Sequence, residues 1–158
     1  MRFFGLIAVL VVTASIAAAS GQTQNRSGHD GKPNVELTFT KWIEPADSPN
    51  FTGVVGGDIV GRFGGAALKV TTDDSGFTHI SAIYIVVGPD LARSLTMRIN
   101  GVVNTTGKAV FSGRVVDGRL TGDRVHVEWQ AISCSEAPNG TCFKGTITIR
   151  RGSESSGG

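Results

Sequence analysis

The chain has 158 residues, of which 40% are hydrophobic and 18% are charged. Its 15 Lys and Arg against 13 Asp and Glu leave a formal net charge of +2, too small for the basic surface that nucleic acids or anionic membranes require. We therefore expect no nucleic-acid partner, and no membrane partner for the mature form. The length suits one domain with a modest core.

The N-terminal segment, residues 1–20, is typical of a secretory signal peptide. Arg2 precedes an apolar run from Phe3 to about Val12, and small residues fill positions 17–21. We expect cleavage between Ala19 and Gly21, which predicts a secreted or periplasmic protein. An uncleaved membrane anchor is the alternative, because residues 3–19 are barely long enough to span a bilayer.

Polar, glycine-bearing sequence flanks the central part of the chain. Residues 21–33 and 152–158 offer few apolar side chains to bury, so we expect a disordered linker and a disordered tail. The folded domain is then residues 34–151.

The first half of this domain shows the alternation of apolar and polar residues that predicts half-buried strands. Alternation begins at Val35, Leu37 and Phe39. Residues 51–70 are rich in glycine, which predicts two short strands or one strongly bent strand with bulges near Gly56, Gly57 and Gly61. Residues 80–87 are apolar at every position except Ser81, which predicts a strand covered on both sides.

The second half begins with one expected helical turn, at Pro89 to Arg93, and continues with strands. One strand is expected at residues 108–116. Three others are predicted by alternation, at Leu95, Met97 and Ile99, at Val125, Val127, Trp129 and Ala131, and at Phe143, Gly145, Ile147 and Ile149.

Turn-forming residues separate these segments at spacings typical of consecutive hairpins. The sequence thus predicts an all-β domain of seven or eight antiparallel strands. Sheet edges are removed by closing a barrel or protected in a two-sheet sandwich. Because glycine within strands permits the bending that barrels need, we expect a closed or nearly closed barrel, with a β-sandwich as the alternative.

The two cysteines, Cys134 and Cys142, flank the turn-forming sequence EAPNGT between the last two predicted strands. Opposed strand ends lie within disulfide range, and export would place them in an oxidising compartment. We therefore predict a structural disulfide. A redox motif would have two residues between the thiols, and a four-ligand zinc site would need further partners.

The chain contains, in this order, the glycine-rich strand FTGVVGGDIVGRFGG, the long apolar strand, the segment SLTMRINGVVNTTGKAVFSGRVVDGRLTG and the closing strand. This order resembles that of small secreted barrels of the allene oxide cyclase and dirigent families. The resemblance covers about residues 51–149. It implies a barrel, and it implies a range of activities from a cyclase to proteins that steer radical coupling without a redox centre. No functional residue of those families is matched here.

Metal binding and acid–base catalysis are two alternatives for the polar residues. His126 and Glu128 share one face of a strand, and His79 on another strand could complete a zinc site. Arg124 and Gln130 extend the same face, which favours a solvated surface, so we expect no metal and no cofactor. Acid–base chemistry would need His79, Tyr84, His126 and Glu128 together inside a barrel.

A binding site needs only an apolar lining and a few polar groups. The candidate ligand-binding residues are Tyr84, His79, His126, Glu128 and Trp129. Since no catalytic motif is present, the sequence favours an exported, non-catalytic binding or interaction module for an apolar small molecule or another protein. An isomerase or cyclase-like enzyme and an inhibitor of a secreted protease are the alternative functions.

Overall fold

The computed structural model describes residues 34–43 and 50–151, so the predicted signal peptide, linker and tail lie outside the described residues. Eight strands account for most of the described chain. They are β1 (Val35–Ile43), β2 (Asn50–Gly57), β3 (Gly61–Thr72), β4 (Thr78–Val87), β5 (Leu95–Val103), β6 (Lys108–Gly118), β7 (Arg124–Ser133) and β8 (Thr141–Arg150). One 3₁₀ turn, Leu91–Arg93, lies where the helical turn is predicted.

The strands form one closed barrel in which each strand pairs with its neighbours in the sequence. All pairs are antiparallel, and β1 also pairs with β8, with Val35 opposite Ile149 and Lys41 opposite Phe143. This closure confirms the predicted barrel and excludes the sandwich. The described residues include no helix long and apolar enough to cross a bilayer.

Alternating side chains fill the barrel, as the sequence pattern predicts. The buried residues include Leu37 and Phe39 from β1, Met97 and Ile99 from β5, and Val127 from β7, each no more than 2% exposed. Aromatic rings dominate one side of the interior, where the Phe63 and Tyr84 ring centroids lie 5.0 Å apart. Apolar burial of this kind is the main favourable contribution to folding.

Interior glycines let neighbouring strands approach closely. A Cβ added at Gly113 would lie 2.8 Å from the Ile99 Cα and would overlap the Arg98 carbonyl oxygen. Gly53, Gly101 and Gly145 meet neighbouring backbone in the same way. The glycines therefore supply the tight curvature that a small closed barrel requires, in agreement with the prediction.

The glycine-rich region forms two strands, β2 and β3, but its bulges are not at the predicted positions. Gly56 and Gly57 pair with β1, and Gly61 pairs with Val55 of β2, without a shift of register. The register instead shifts at Leu68 in β3 and at Val116 in β6, where one residue lacks a partner on the opposite strand. The prediction of bulges near the three glycines was wrong: Gly57 and Gly61 instead accommodate close contacts with neighbouring backbone at the turn from β2 to β3.

The outer face of β4 is apolar, as predicted, but the described residues do not cover it. Ile85 is 39% exposed and Val87 is 42% exposed, whereas Tyr84 and Val86 on the inner face are buried. The prediction of a strand covered on both sides is therefore wrong for the described part of the chain.

The predicted disulfide joins Cys134 to Cys142, with 5.7 Å between the Cα atoms. Cys142 is completely buried and Ala137, in the same hairpin loop, is 5% exposed, so the bridge holds this loop against the barrel. A disulfide is consistent with an oxidising compartment.

Removing the disulfide with the double substitution Cys134→Ala and Cys142→Ala is expected to lower the free energy of unfolding by about 2.5 kcal/mol, because the open loop gains chain entropy in the unfolded state. Urea denaturation of the oxidised wild type and the double variant measures the difference. Equal midpoints would show that the bridge adds no stability.

Candidate functional site

One buried charged side chain, Lys41, distinguishes the barrel interior. Its position on β1 continues the inward alternation of Leu37 and Phe39, and the side chain is 7% exposed. Among the buried residues of the described chain, Lys41 is the only one with a formally charged side chain. It lies towards the end of the barrel at which β1, β3, β5 and β7 end, which we call the lysine end.

Aromatic rings surround the Lys41 ammonium group. Its Nζ lies 4.2 Å from the ring centroid of Phe51, 4.4 Å from that of Tyr84 and 5.1 Å from that of Trp129, with Phe143 at 5.8 Å. The Nζ also donates a hydrogen bond to the Tyr84 hydroxyl. Ring faces attract a cation, which partly offsets the loss of its hydration.

Burial changes the acidity of both partners in this hydrogen bond. Loss of hydration lowers the pKa of Lys41 from 10.5 to about 7, so the amine is partly uncharged at neutral pH. Burial also raises the pKa of Tyr84 well above its usual value, and the neighbouring Trp129 indole opposes this rise to a smaller extent. The pair therefore combines an amine that is partly uncharged at neutral pH with a phenol that keeps its proton.

Trp129 places a third polar group beside this pair. Its indole Nε1–H is buried and makes no hydrogen bond to any described residue, although it lies near enough to the Tyr84 oxygen to influence its acidity. Trp129 is 9% exposed and its ring lies 4.8 Å from that of Phe143. A buried N–H group without a hydrogen bond costs about 1–3 kcal/mol, so a ligand oxygen that accepted from Trp129 in better geometry than Tyr84 does would be favourable.

Apolar side chains lie at the strand ends on the same side as Lys41. Ile43, Ile80 and Val103 lie at strand ends on this side and are partly buried against the core. Val70 pairs with Ile80 and is 53% exposed. We call these four residues the apolar mouth. The lysine end thus combines apolar side chains at the strand ends with a small set of buried polar groups, which is the common composition of a ligand site.

The five predicted ligand-binding residues are divided between the two faces of the barrel. Tyr84 and Trp129 lie inside, at the lysine end. His79 lies outside and contacts Asp73, with 3.0 Å between Nε2 and Oδ2. His126 and Glu128 lie outside on β7 and contact each other, with 2.9 Å between Nε2 and Oε1.

The interior arrangement needed for acid–base catalysis by His79, Tyr84, His126 and Glu128 is therefore not formed. The zinc arrangement is not formed either, since two strands separate His79 on β4 from His126 on β7. Cys134, Glu136 and Cys142 also lie close together, but both sulfur atoms are already joined in the disulfide and offer no thiolate.

Sequence reasoning missed Lys41, although the sequence contained a signal for it. Successive inward positions of a strand are two residues apart, so Leu37 and Phe39 predict an inward side chain at residue 41. A lysine at such a position is unusual, because charged side chains are rarely buried.

Comparisons of the chain with protein-family models, with curated proteins and with solved structures find no match, so they show no relationship to the allene oxide cyclase or dirigent families.

Proposed function

We propose that the protein is an exported binding module whose lysine end holds a small apolar molecule with an oxygen-bearing head group. The head would lie against Lys41, Tyr84 and Trp129, and the apolar part would contact the apolar mouth. The barrel interior beyond Lys41 is filled by side chains such as Phe39 and Phe63, which restricts the site to this end.

The unsatisfied donors beneath the apolar mouth are the observation that supports this proposal most directly. Lys41 has three N–H groups when protonated, and the described residues supply one acceptor, the Tyr84 oxygen. The Trp129 N–H makes no well-formed hydrogen bond, and its interaction with the same Tyr84 oxygen is weak. A ligand carbonyl, carboxylate or hydroxyl oxygen would accept from both residues, and its apolar part would remove further surface from water.

Export supports the same proposal less directly. The disulfide is consistent with an oxidising compartment, and the N-terminal sequence has the layout of a signal peptide. A mature barrel that carries an apolar molecule outside the cytoplasm needs no catalytic group, and none of the common catalytic motifs is present.

Fluorescence of Trp129 provides the test. In a Trp42→Phe background, titration with 1-decanol or decanoate is expected to change the emission saturably, because the ligand head would contact the Trp129 indole. The added substitution Lys41→Met is expected to weaken binding by about tenfold, the effect of losing one good hydrogen bond to a charged group.

The matched control is Lys69→Met, which removes an exposed lysine from β3 and should leave affinity unchanged. Circular dichroism establishes that both variants fold. The absence of any saturable change in the parent protein would contradict the proposal, as would equal affinities for the parent and the Lys41→Met variant.

The isomerase alternative gains one specific observation, the Lys41–Tyr84 pair. An uncharged amine beside a protonated phenol supplies a general base and a general acid within hydrogen-bond distance. Its test is exchange of the α-hydrogens of an apolar ketone in D₂O, which should depend on Lys41 and on Tyr84. The protease-inhibitor alternative stays a prediction.

A further inference from the structure

We propose that Lys41 binds its ligand covalently, as an imine formed with an apolar aldehyde or ketone. This inference rests on the proposed function, because it uses the same end of the barrel and the same apolar mouth. It assigns the ligand to a chemical class, the apolar aldehydes and ketones, and it adds a covalent bond to the proposed mode of binding.

The position of Lys41 gives its amine the properties of a nucleophile. Its surroundings are aromatic rings and one hydroxyl, and burial favours the uncharged form that carries a free electron pair. No other described side chain with a formal charge is buried, so no carboxylate within the described interior holds the amine in its charged form.

The reaction needs no group beyond those present and the carbonyl compound. The nitrogen electron pair attacks the carbonyl carbon and the C=O electrons move to oxygen, which becomes a hydroxyl as a proton passes from nitrogen to oxygen. The Tyr84 hydroxyl then donates a proton as this group leaves as water, a C=N bond forms, and the second nitrogen proton returns to Tyr84. The sum is amine plus carbonyl giving imine plus water, without oxidation or reduction.

The surroundings also favour the product. The rings of Phe51, Tyr84 and Trp129 lie close enough to Nζ to attract the positive charge of a protonated imine. The site is 93% buried at Lys41, which limits the access of the water that would hydrolyse the bond. Lys69, Lys108 and Lys144 are exposed and have no such enclosure.

Reductive trapping tests the inference. Purified protein is incubated with decanal, reduced with borohydride, and analysed by intact mass and peptide mapping. We expect one adduct, with the mass of decanal less one oxygen atom, located on Lys41. Lys41→Met should lose it, Lys69→Met should keep it, and Tyr84→Phe should slow its formation by at least tenfold while the label stays on Lys41.

Two outcomes would overturn the inference: no adduct at Lys41, or labelling of the exposed lysines at the same rate as Lys41. Because mapping is done on the wild-type protein, the result does not depend on whether a variant folds. Saturable 1-decanol binding without a Lys41 adduct would overturn the imine and leave the proposed function standing. If neither decanol binding nor an adduct is found, the imine and the proposed function are both contradicted.

Discussion

The free energy of unfolding is expected to rise by about 3 kcal/mol between about pH 6.5 and about pH 9.5, because Lys41 loses its proton in the native state well before it does so in the unfolded state. Urea denaturation followed by circular dichroism across this range measures the change. Few side chains other than an abnormal lysine titrate in this interval, so the slope reports on this site.

The sign follows from the two pKa values of Lys41. The native pKa is about 7 and the unfolded value is 10.5, so between them the unfolded chain binds more protons than the native protein. Stability then increases with pH by up to about 1.4 kcal/mol per unit, and this slope fades over about one pH unit below pH 7. Above pH 10 the raised pKa of Tyr84 acts in the opposite direction, since the unfolded tyrosine releases its proton first.

The matched variant is Lys41→Met, which should be nearly independent of pH over the same range. At pH 6.5 it should be more stable than the wild type by about 2 kcal/mol, because an apolar side chain replaces a buried charge. A Lys69→Met control should retain the wild-type slope. A wild-type curve without the rise, or a Lys41→Met curve with it, would show that Lys41 is not held in an apolar interior.

The second large effect is expected at an interior glycine. Gly113→Ala should lower the free energy of unfolding by at least about 3 kcal/mol, because the new methyl group would overlap the Arg98 carbonyl oxygen and lie 2.8 Å from the Ile99 Cα. Both of these are backbone atoms of β5, so relief would require the two strands to separate. Thermal or urea denaturation measures the loss.

Gly64→Ala is the matched control on the outer face of β3. The nearest atom to its new Cβ would be the Phe51 carbonyl oxygen at 3.5 Å, an ordinary contact. This variant should differ from the wild type by no more than about 0.5 kcal/mol, or be slightly more stable through the lower entropy of its unfolded chain. Equal losses for the two alanines, or no loss for Gly113→Ala, would show that the close contact with β5 does not determine the cost of a side chain at residue 113.

Local sequence patterns predicted the strands because burial in a barrel has a period of two residues. The interior positions of β1, β5 and β8 follow from this rule, as do those of β7 except Ala131, which is exposed where alternation predicts burial. The disulfide across the β7–β8 turn follows from the same strand assignment. The bulges at Leu68 and Val116 could not be predicted in this way. A bulge depends on how two strands align across a pair, which no single segment contains.

The candidate site was predictable only in part for the same reason. Tyr84 and Trp129 share the parity of apolar neighbours, which places both of them inside. His79, His126 and Glu128 have the opposite parity and face solvent. Placing them in one binding site with Tyr84 and Trp129, on the basis of chemical type alone, was therefore wrong. The contact between Lys41 and Tyr84 joins residues 43 positions apart, and it follows from the closed order of strands.

The pairing of β1 with β8 gives the barrel a cyclic connectivity. Val35 and Ile149 are directly opposite each other, so a short linker could join the two ends of the barrel domain while new termini are cut in an exposed turn. The turn at residues 73–77, between β3 and β4, is such a place. A circular permutant opened there would keep every strand pair except for the cut turn itself. Tyr84 would then precede the new linker in the chain and Lys41 would follow it, while the two side chains remained in contact across the interior.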